Sequence, residues 1–266
     1  MKIGISTWSL GKNTLEALNL ISETEIKYIE LWYYNDLTNS EKIISEFASS
    51  HNMVFWSLHA PFGKELDISH LDSSLRKLAV KEILKSMKIA YHYGCECLII
   101  HPSSNFYDNV EQYENSKRSL IESLSELEHY ALDLDIRILV ENMLSKPGLY
   151  RVGILVKELR EIIEEGGFEA VGICLDTGHS NYNGLSPSEE ALIAGDLLGS
   201  IHLNDNDGTS DSHKVPGEGT INWEKFTEAL RKLKYQNVIV LEVHGGMDPI
   251  SVLRRSVNAV TRIFGF

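Results

Sequence analysis

The chain has 266 residues, 43% apolar and 24% charged, the balance of a globular protein long enough to bury its own core without disulfides or a structural metal. Its formal net charge of −13 argues against a broad phosphate-binding surface, because nucleic-acid affinity rests on Lys and Arg. No run approaches the ~20 apolar residues of a membrane span, and the N-terminal MKIGISTWSL carries neither a basic segment nor a long apolar stretch, which gives a cytoplasmic expectation.

Short apolar, β-rich runs recur along the chain at Ile3–Trp8, Tyr28–Trp32, Val54–His59, Cys97–His101, Ile136–Glu141, Val171–Asp176, Ser200–Leu203 and Val238–Val243. Helical periodicity fills the intervals. Within Leu71–Tyr93, apolar residues at Leu75, Leu78, Ala79, Ile83, Met87, Ala90 and Tyr91 return every three to four positions, and Ser119–Leu134 repeats the pattern. Gly94 and the pair Gly166-Gly167 stand where helices should stop. Strands alternating with helices imply parallel pairing through right-handed crossovers. Eight such units predict one closed (β/α)8 barrel over 1–266, with an open doubly wound sheet as the runner-up. Cys95, Cys97 and Cys174 lie in or beside strand runs, fit neither a zinc ribbon nor a redox pair, and are read as buried reduced thiols.

Nine residues able to hold a metal follow these runs: His59, His101, Glu141, Asp176, His179, His202, Asp211, His213 and Glu242. A parallel barrel collects strand-end residues on one face, where imidazoles and carboxylates together make a metal site. Eight of the nine also have a plain structural explanation. Asp176 could cap a helix, and His179 could be a satisfied loop histidine. Asp211 and His213 could be solvated loop residues, and His59 and His101 merely hydrogen-bonded ones. Glu141 and Glu242 could be salt-bridged, although no cation stands beside either in sequence. Alternation along the seventh run turns His202 inward if Ile201 and Leu203 face the helices. His51, His70, His92 and His129 belong to helical surfaces, and His244 is left undecided. Trp8, Trp32, Trp56 and Phe62 near the first three strand ends could form an apolar wall for a sugar or simply pack the rim. Gly245-Gly246 before the last helix could present amides to a phosphate or make a turn. Neither a Ser-His-Asp elbow, a Walker loop nor a GxGxxG run is present.

With ILVEN (138–142), CLDTGH (174–179), IHLND (201–205), HKVPGEGTINW (213–223) and VLEV (240–243), the chain resembles the xylose isomerase-like TIM barrel superfamily, which includes sugar isomerases, ketose 3-epimerases and endonuclease IV. For an epimerase-like member the resemblance implies one divalent metal (Mn, Mg, Co or Zn) on Glu141, Asp176, His202 and Glu242. It implies Glu141 and Glu242 as the catalytic acid/base pair of an enediolate mechanism, substrate contacts from His179, His59, Trp8 and His213, and a sugar or sugar phosphate as substrate. For an endonuclease IV-like member it implies all nine residues around three zinc ions, an abasic-site phosphodiesterase, and nucleic acid as partner. The loop Ala60-Pro-Phe-Gly63 lacks that enzyme's duplex-prying wedge. No lysine matches the one xylose isomerases use for hydride shift. The acidic balance and the missing wedge favour the isomerase or epimerase over the hydrolase, and no residue pattern sets an oligomeric state.

Overall fold

The computed structural model describes residues 1–11 and 13–265. Eight strands close into a barrel in chain order: β1 (Lys2–Ser6), β2 (Tyr28–Trp32), β3 (Val54–His59), β4 (Cys97–Ile100), β5 (Arg137–Glu141), β6 (Val171–Asp176), β7 (Leu198–Leu203) and β8 (Val238–Leu241). Every neighbouring pair is parallel, and β8 returns to β1 through Lys2↔Val238 to Ile5↔Leu241. Closure excludes the open doubly wound sheet. The helices are α1 (Thr14–Ile21), α2 (Asp36–Asn39), α3 (Glu41–Ser50), α4 (Ser73–His92), α5 (Val110–Leu134), α6 (Val156–Gly166), α7 (Thr177–Tyr182), α8 (Pro187–Ala194), α9 (Trp223–Leu233) and α10 (Pro249–Phe264). No helix is long and apolar enough to cross a membrane among the described residues.

Alternation along the strands sorts the side chains. Ile29, Leu31, Leu58, Leu98, Ile138, Val140, Ile173, Ile201, Leu203, Ile239 and Leu241 face outward into the main core under the helices. Trp56, Cys97, Ile99, Leu139, Cys174, Val238 and Val240 face inward and plug the lower barrel, with Tyr28 against them. An eight-stranded barrel is just wide enough for its own side chains to fill. Glycine makes the room: a Cβ at Gly199 would collide with the Leu139 side chain, and one at Gly4 would lie 2.9 Å from Val238 Cγ1. Cys95, Cys97 and Cys174 are buried and free, and burial pushes the Cys174 thiol up to about 12.

Several boundaries differ from the sequence reading. The first strand stops at Ser6, and Thr7–Ser9 turns as a short 3-10 helix, which swings Trp8 to the barrel mouth. Helix α5 begins nine residues earlier than its apolar repeat, at Val110, because Asn109 caps it by accepting Gln112 N at 2.9 Å. Gly94 (φ 70°) and Gly167 (φ 65°) end α4 and α6 in the left-handed conformation, as their placement predicts.

Candidate metal centre and substrate cavity

The inward residues above the plug are Glu30, His59, Glu141, Asp176 and His202, joined by Glu242 one residue past β8. All are buried. Glu141, Asp176, His202 and Glu242 offer donor atoms that lie within 4.8 Å of one another. Glu141 and Glu242 come together near the barrel axis: His202 Nδ1 stands 3.3 Å from both Glu141 Oε1 and Glu242 Oε2. In so narrow a barrel long side chains from well-separated strands meet at the axis.

Two further groups flank this one. His59, His101 and Glu141 form one, and His179, Asp211 and His213 the other. Nε2 of His59 and of His101 lie 3.3 and 3.2 Å from Glu141 Oε2. Asp211 Oδ2 lies 3.6 Å from His179 Nε2 and 3.3 Å from His213 Nε2. All nine residues singled out in the sequence thus meet at one end of the barrel, where Glu141 belongs to two of the three groups.

The imidazoles are oriented from behind. Nδ1 of His59, His179 and His213 donates to the backbone carbonyls of Ala60 (2.8 Å), Asn142 (2.7 Å) and Glu242 (2.8 Å). Each ring is thereby left with Nε2 facing carboxylates. His202 is held the other way round: Nε2 lies 3.1 Å from Glu30 Oε2, and Nδ1 faces the glutamates. Fixing one ring nitrogen on an acceptor sets the tautomer and aims the other, as metal-ligating histidines require.

Charge tells the same story. No Lys or Arg lies within 4 Å of Glu141, Asp176 or Glu242 among the described residues; the only basic groups that close are histidines. Burial works to raise the Glu141 carboxyl, but His202, His101 and His59 outweigh it and hold it well below the usual range. Burial raises Glu242, and Glu141 and Asp176 add to the rise against His202 and His213. Burial disfavours imidazolium at His179 and His213, yet the surrounding carboxylates push them up to about 10 and about 9. At His101 burial wins and holds the ring at about 4. A buried set of carboxylates that draws protons onto its histidines fits a divalent cation, which would supply that charge itself. Asp211 Oδ1, buried without a hydrogen-bond partner, adds an unused donor. His213 (φ 42°) is held in the left-handed region, a cost that buys the Asp211–His213 alignment.

Residues not foreseen from sequence build the support. Glu30 in Tyr28-Ile-Glu-Leu-Trp32 was hidden inside an apolar strand run; its signal is that one carboxylate among apolar neighbours. Ser57 Oγ donates to its Oε2 at 2.8 Å. Asn142 accepts Asp176 N at 2.6 Å and donates to Asp176 O at 3.1 Å, clamping β5 to β6. Asn204 donates to Asp176 Oδ2 at 2.8 Å. Asp205 organises the loop after β7 by accepting Gly217 N, Ile221 N and Trp223 Nε1, which accounts for much of HKVPGEGTINW. Asp176 also caps α7 by accepting His179 N at 2.7 Å; the capping explanation holds while the same carboxylate belongs to the central donor group, and His179 sits in a helix rather than a loop.

Above the clusters opens a cavity of about 570 Å³, lined by Trp8, Trp32, Phe62, Arg151 and Lys64 together with His59, His101, Glu141, His179, Asp211, His213 and Glu242. Trp8 packs on Trp32 and His213, and Phe62 stacks on His101 at 4.0 Å. Trp56 departs from this wall: it lies in the lower plug, with Nε1 3.5 Å from Ser200 Oγ, because it stands three residues before His59, the end of β3. His244 lies exposed at the rim, edge-on to Trp8. His92 and His129 are exposed and His51 and His70 half-buried, all four away from the cavity. Gly245-Gly246 does not make an open phosphate cradle. A Cβ at Gly245 would strike Ser9 O, and the Asp248 carboxylate already caps α10 by accepting Ser251 N at 3.0 Å, placing negative charge where a phosphate would bind.

The family model described as xylose isomerase-like TIM barrel matches residues 18–262. A Methanocaldococcus jannaschii protein of uncharacterized function is 30% identical over 245 residues, covering 91% of this chain and 92% of its own. A probable endonuclease 4 of Aquifex aeolicus is 25% identical over 84% of both chains. A D-psicose 3-epimerase of Enterocloster bolteae is 26% identical over 77% of this chain and 67% of its own. The crystal structure of a D-tagatose 3-epimerase-like protein superposes with a TM-score of 0.85 at 24% identity, over 99% of this chain and 98% of that one. By the match of this family model over most of its length, the chain belongs to the xylose isomerase-like TIM barrel family.

Proposed function

We propose that the chain is a divalent-metal-dependent isomerase or epimerase of a sugar or sugar phosphate, acting through an enediolate with Glu141 and Glu242 as the acid/base pair. One observation carries this reading. Of the four residues in the central group, Glu141 and Glu242 line the cavity, whereas Asp176 and His202 lie beneath it. The two glutamates thus face a substrate as well as each other, in environments that push their carboxyls in opposite directions, the asymmetry that acid and base roles need. Glu141, Asp176, His202 and Glu242 would hold the metal, whose chemistry is to polarise the sugar carbonyl and acidify the neighbouring C–H. One glutamate removes that proton and the other returns a proton to the opposite face or to the next carbon. Trp8, Trp32 and Phe62 present aromatic surface to the carbon face of the sugar. His179, His59 and His213 stand within the same cavity to receive its hydroxyls. The D-psicose 3-epimerase relative supports the substrate class.

The test is exchange of carbon-bound hydrogen with deuterated solvent, followed by NMR on ketoses and their phosphates with metal-loaded protein. Exchange next to the carbonyl, lost in Glu242→Gln, is expected. No exchange on any ketose would remove the reading.

The three donor groups favour one second reading, a trinuclear zinc phosphodiesterase, which the relatives named endonuclease 4 also support. There the cations would stabilise both the attacking and the leaving oxygen. That reading expects three zinc ions per chain by elemental analysis and chelator-sensitive nicking of abasic DNA. Metal-loaded protein that leaves such DNA intact would rule the endonuclease out.

A further inference from the structure

On the wall of the cavity formed by the loops after β3, β4 and β5, Arg151 presents a guanidinium that no acid neutralises. It is only 8% exposed, yet it lines the cavity. Its protein partners are Ser103 Oγ (from Nε, 3.2 Å), Ser103 O (from Nη2, 2.7 Å) and Leu144 O (from Nη1, 3.3 Å). A guanidinium has five N–H groups, so one on each terminal nitrogen is left without a protein acceptor. No carboxylate lies within 4 Å of it among the described residues: it is absent from every ion pair of Arg160, Arg254, Arg255 and Arg76 type that the chain makes. The acids nearby are committed elsewhere. Asp67 accepts Ser104 N, Asn105 N and Asn105 Nδ2. Glu141 Oε2 faces Nε2 of His59 and of His101 at 3.3 and 3.2 Å. Burial accordingly draws the guanidinium down to about 10, with Asp67 and Glu141 only partly opposing; it remains charged at neutral pH.

The segment carrying Arg151 is rigid. Tyr107 and Tyr150 exchange backbone hydrogen bonds at 2.9 and 2.8 Å, Ser103 Oγ donates to Val152 O at 2.7 Å, and Met143 N donates to Gly153 O at 2.7 Å. The Phe106 ring underlies the guanidinium at 5.1 Å. A second cation, Lys64, enters the same cavity from the loop after β3, also without a carboxylate within 4 Å among the described residues. A buried charge without a counter-ion is costly. A fork held in place with free N–H groups suits a bidentate oxyanion, and rigidity spares the ordering cost of binding it.

We infer that Arg151, with Lys64, forms an anion subsite in the cavity, and that the substrate is a sugar carrying a phosphate or carboxylate that reaches the wall built by the loops after β3 and β5. Naming a sugar rests on the isomerase reading; the subsite itself does not. The test uses calorimetric titration of metal-loaded protein with D-fructose, D-fructose 6-phosphate, D-fructuronate and inorganic phosphate. At least one anionic sugar should bind on the order of 10- to 100-fold more tightly than D-fructose, the range of a charge-assisted contact. A preference for the phosphate or for the carboxylate identifies the source of the anion. Arg151→Gln should erase that preference while D-fructose affinity stays, and Lys64→Gln, at an exposed position, should reduce it. Where no sugar binds measurably, inorganic phosphate still should, and more weakly in Arg151→Gln. Equal affinity for neutral and anionic sugars, a preference that survives in both variants, or no phosphate binding to wild type overturns the subsite. Anion preference without hydrogen exchange upholds the subsite and removes the isomerase reading instead.

Discussion

The two halves of the barrel interior are built from the same strands on opposite rules. In the lower half Leu139, Cys174, Val238 and Val240 interlock with Trp56 around glycines that leave space for them, and every polar demand is minimised. Two residues further along the same strands, Glu141, Asp176 and Glu242 crowd carboxylates together, and His179 and His213 are drawn to unusually high basicity in response. The lower half contributes stability through packing, and the upper half crowds like-charged groups that the histidines offset only in part. Conservation of fold can therefore rest on one layer while chemistry rests on the next, a division expected of barrels whose active sites occupy the C-terminal face.

Mutations should separate the halves. The largest effect is expected at Glu242: Glu242→Gln should lower turnover by on the order of 10²- to 10⁴-fold, the usual worth of a positioned acid or base, while denaturant unfolding shows a stability equal to or above wild type. A large loss of stability instead would mean that Glu242 is a structural group. Leu139→Ala should do the reverse, destabilising by about 2–5 kcal/mol through a cavity in the plug, with metal stoichiometry intact at low temperature. Loss of bound metal in the folded variant would show that the layers are coupled.

Glu30 sits at the border. It is buried beside the ligand group, Ser57 satisfies one oxygen, and its Oε1 has no hydrogen-bond partner. Glu30→Gln should weaken metal affinity by about 10- to 100-fold, as loss of an orienting carboxylate does, measured by competition with a chromophoric chelator. Unchanged affinity would show that His202 needs no such orientation. The smallest effect concerns the thiols. Burial raises Cys95, Cys97 and Cys174, so thiolate is scarce at pH 8, and iodoacetamide should label none of them until denaturant is added. Labelling of native protein at Cys97 or Cys174 would show that the plug opens.

Much of this was legible in one dimension. The apolar runs ending in His59, Glu141 and Asp176 close at the last residue of their strands, because an apolar run closed by a polar group marks where a strand leaves the barrel. Gly94 and Gly167 marked helix ends because their backbone angles exclude most other residues. Trp56 was misplaced because it stands three residues before the end of β3, level with the start of β4, and its inward turn comes from an irregularity opposite Ile29/Glu30 that no pattern in the sequence announces. Arg151 and Glu30 escaped notice for a related reason: one lies in an irregular loop and the other in the middle of a strand, where neither ends a run.

The amino-acid sequence by itself determined the alternation of strands and helices, the closure into eight units, and the nine donor residues, since these follow from local periodicity and from polar residues placed at strand ends. Only the tertiary structure decided how the nine divide into three groups around Glu141, which glutamates reach the cavity, and which guanidinium stands there without a counter-ion. Those are distances between side chains from remote strands, and they exist only once the barrel has closed.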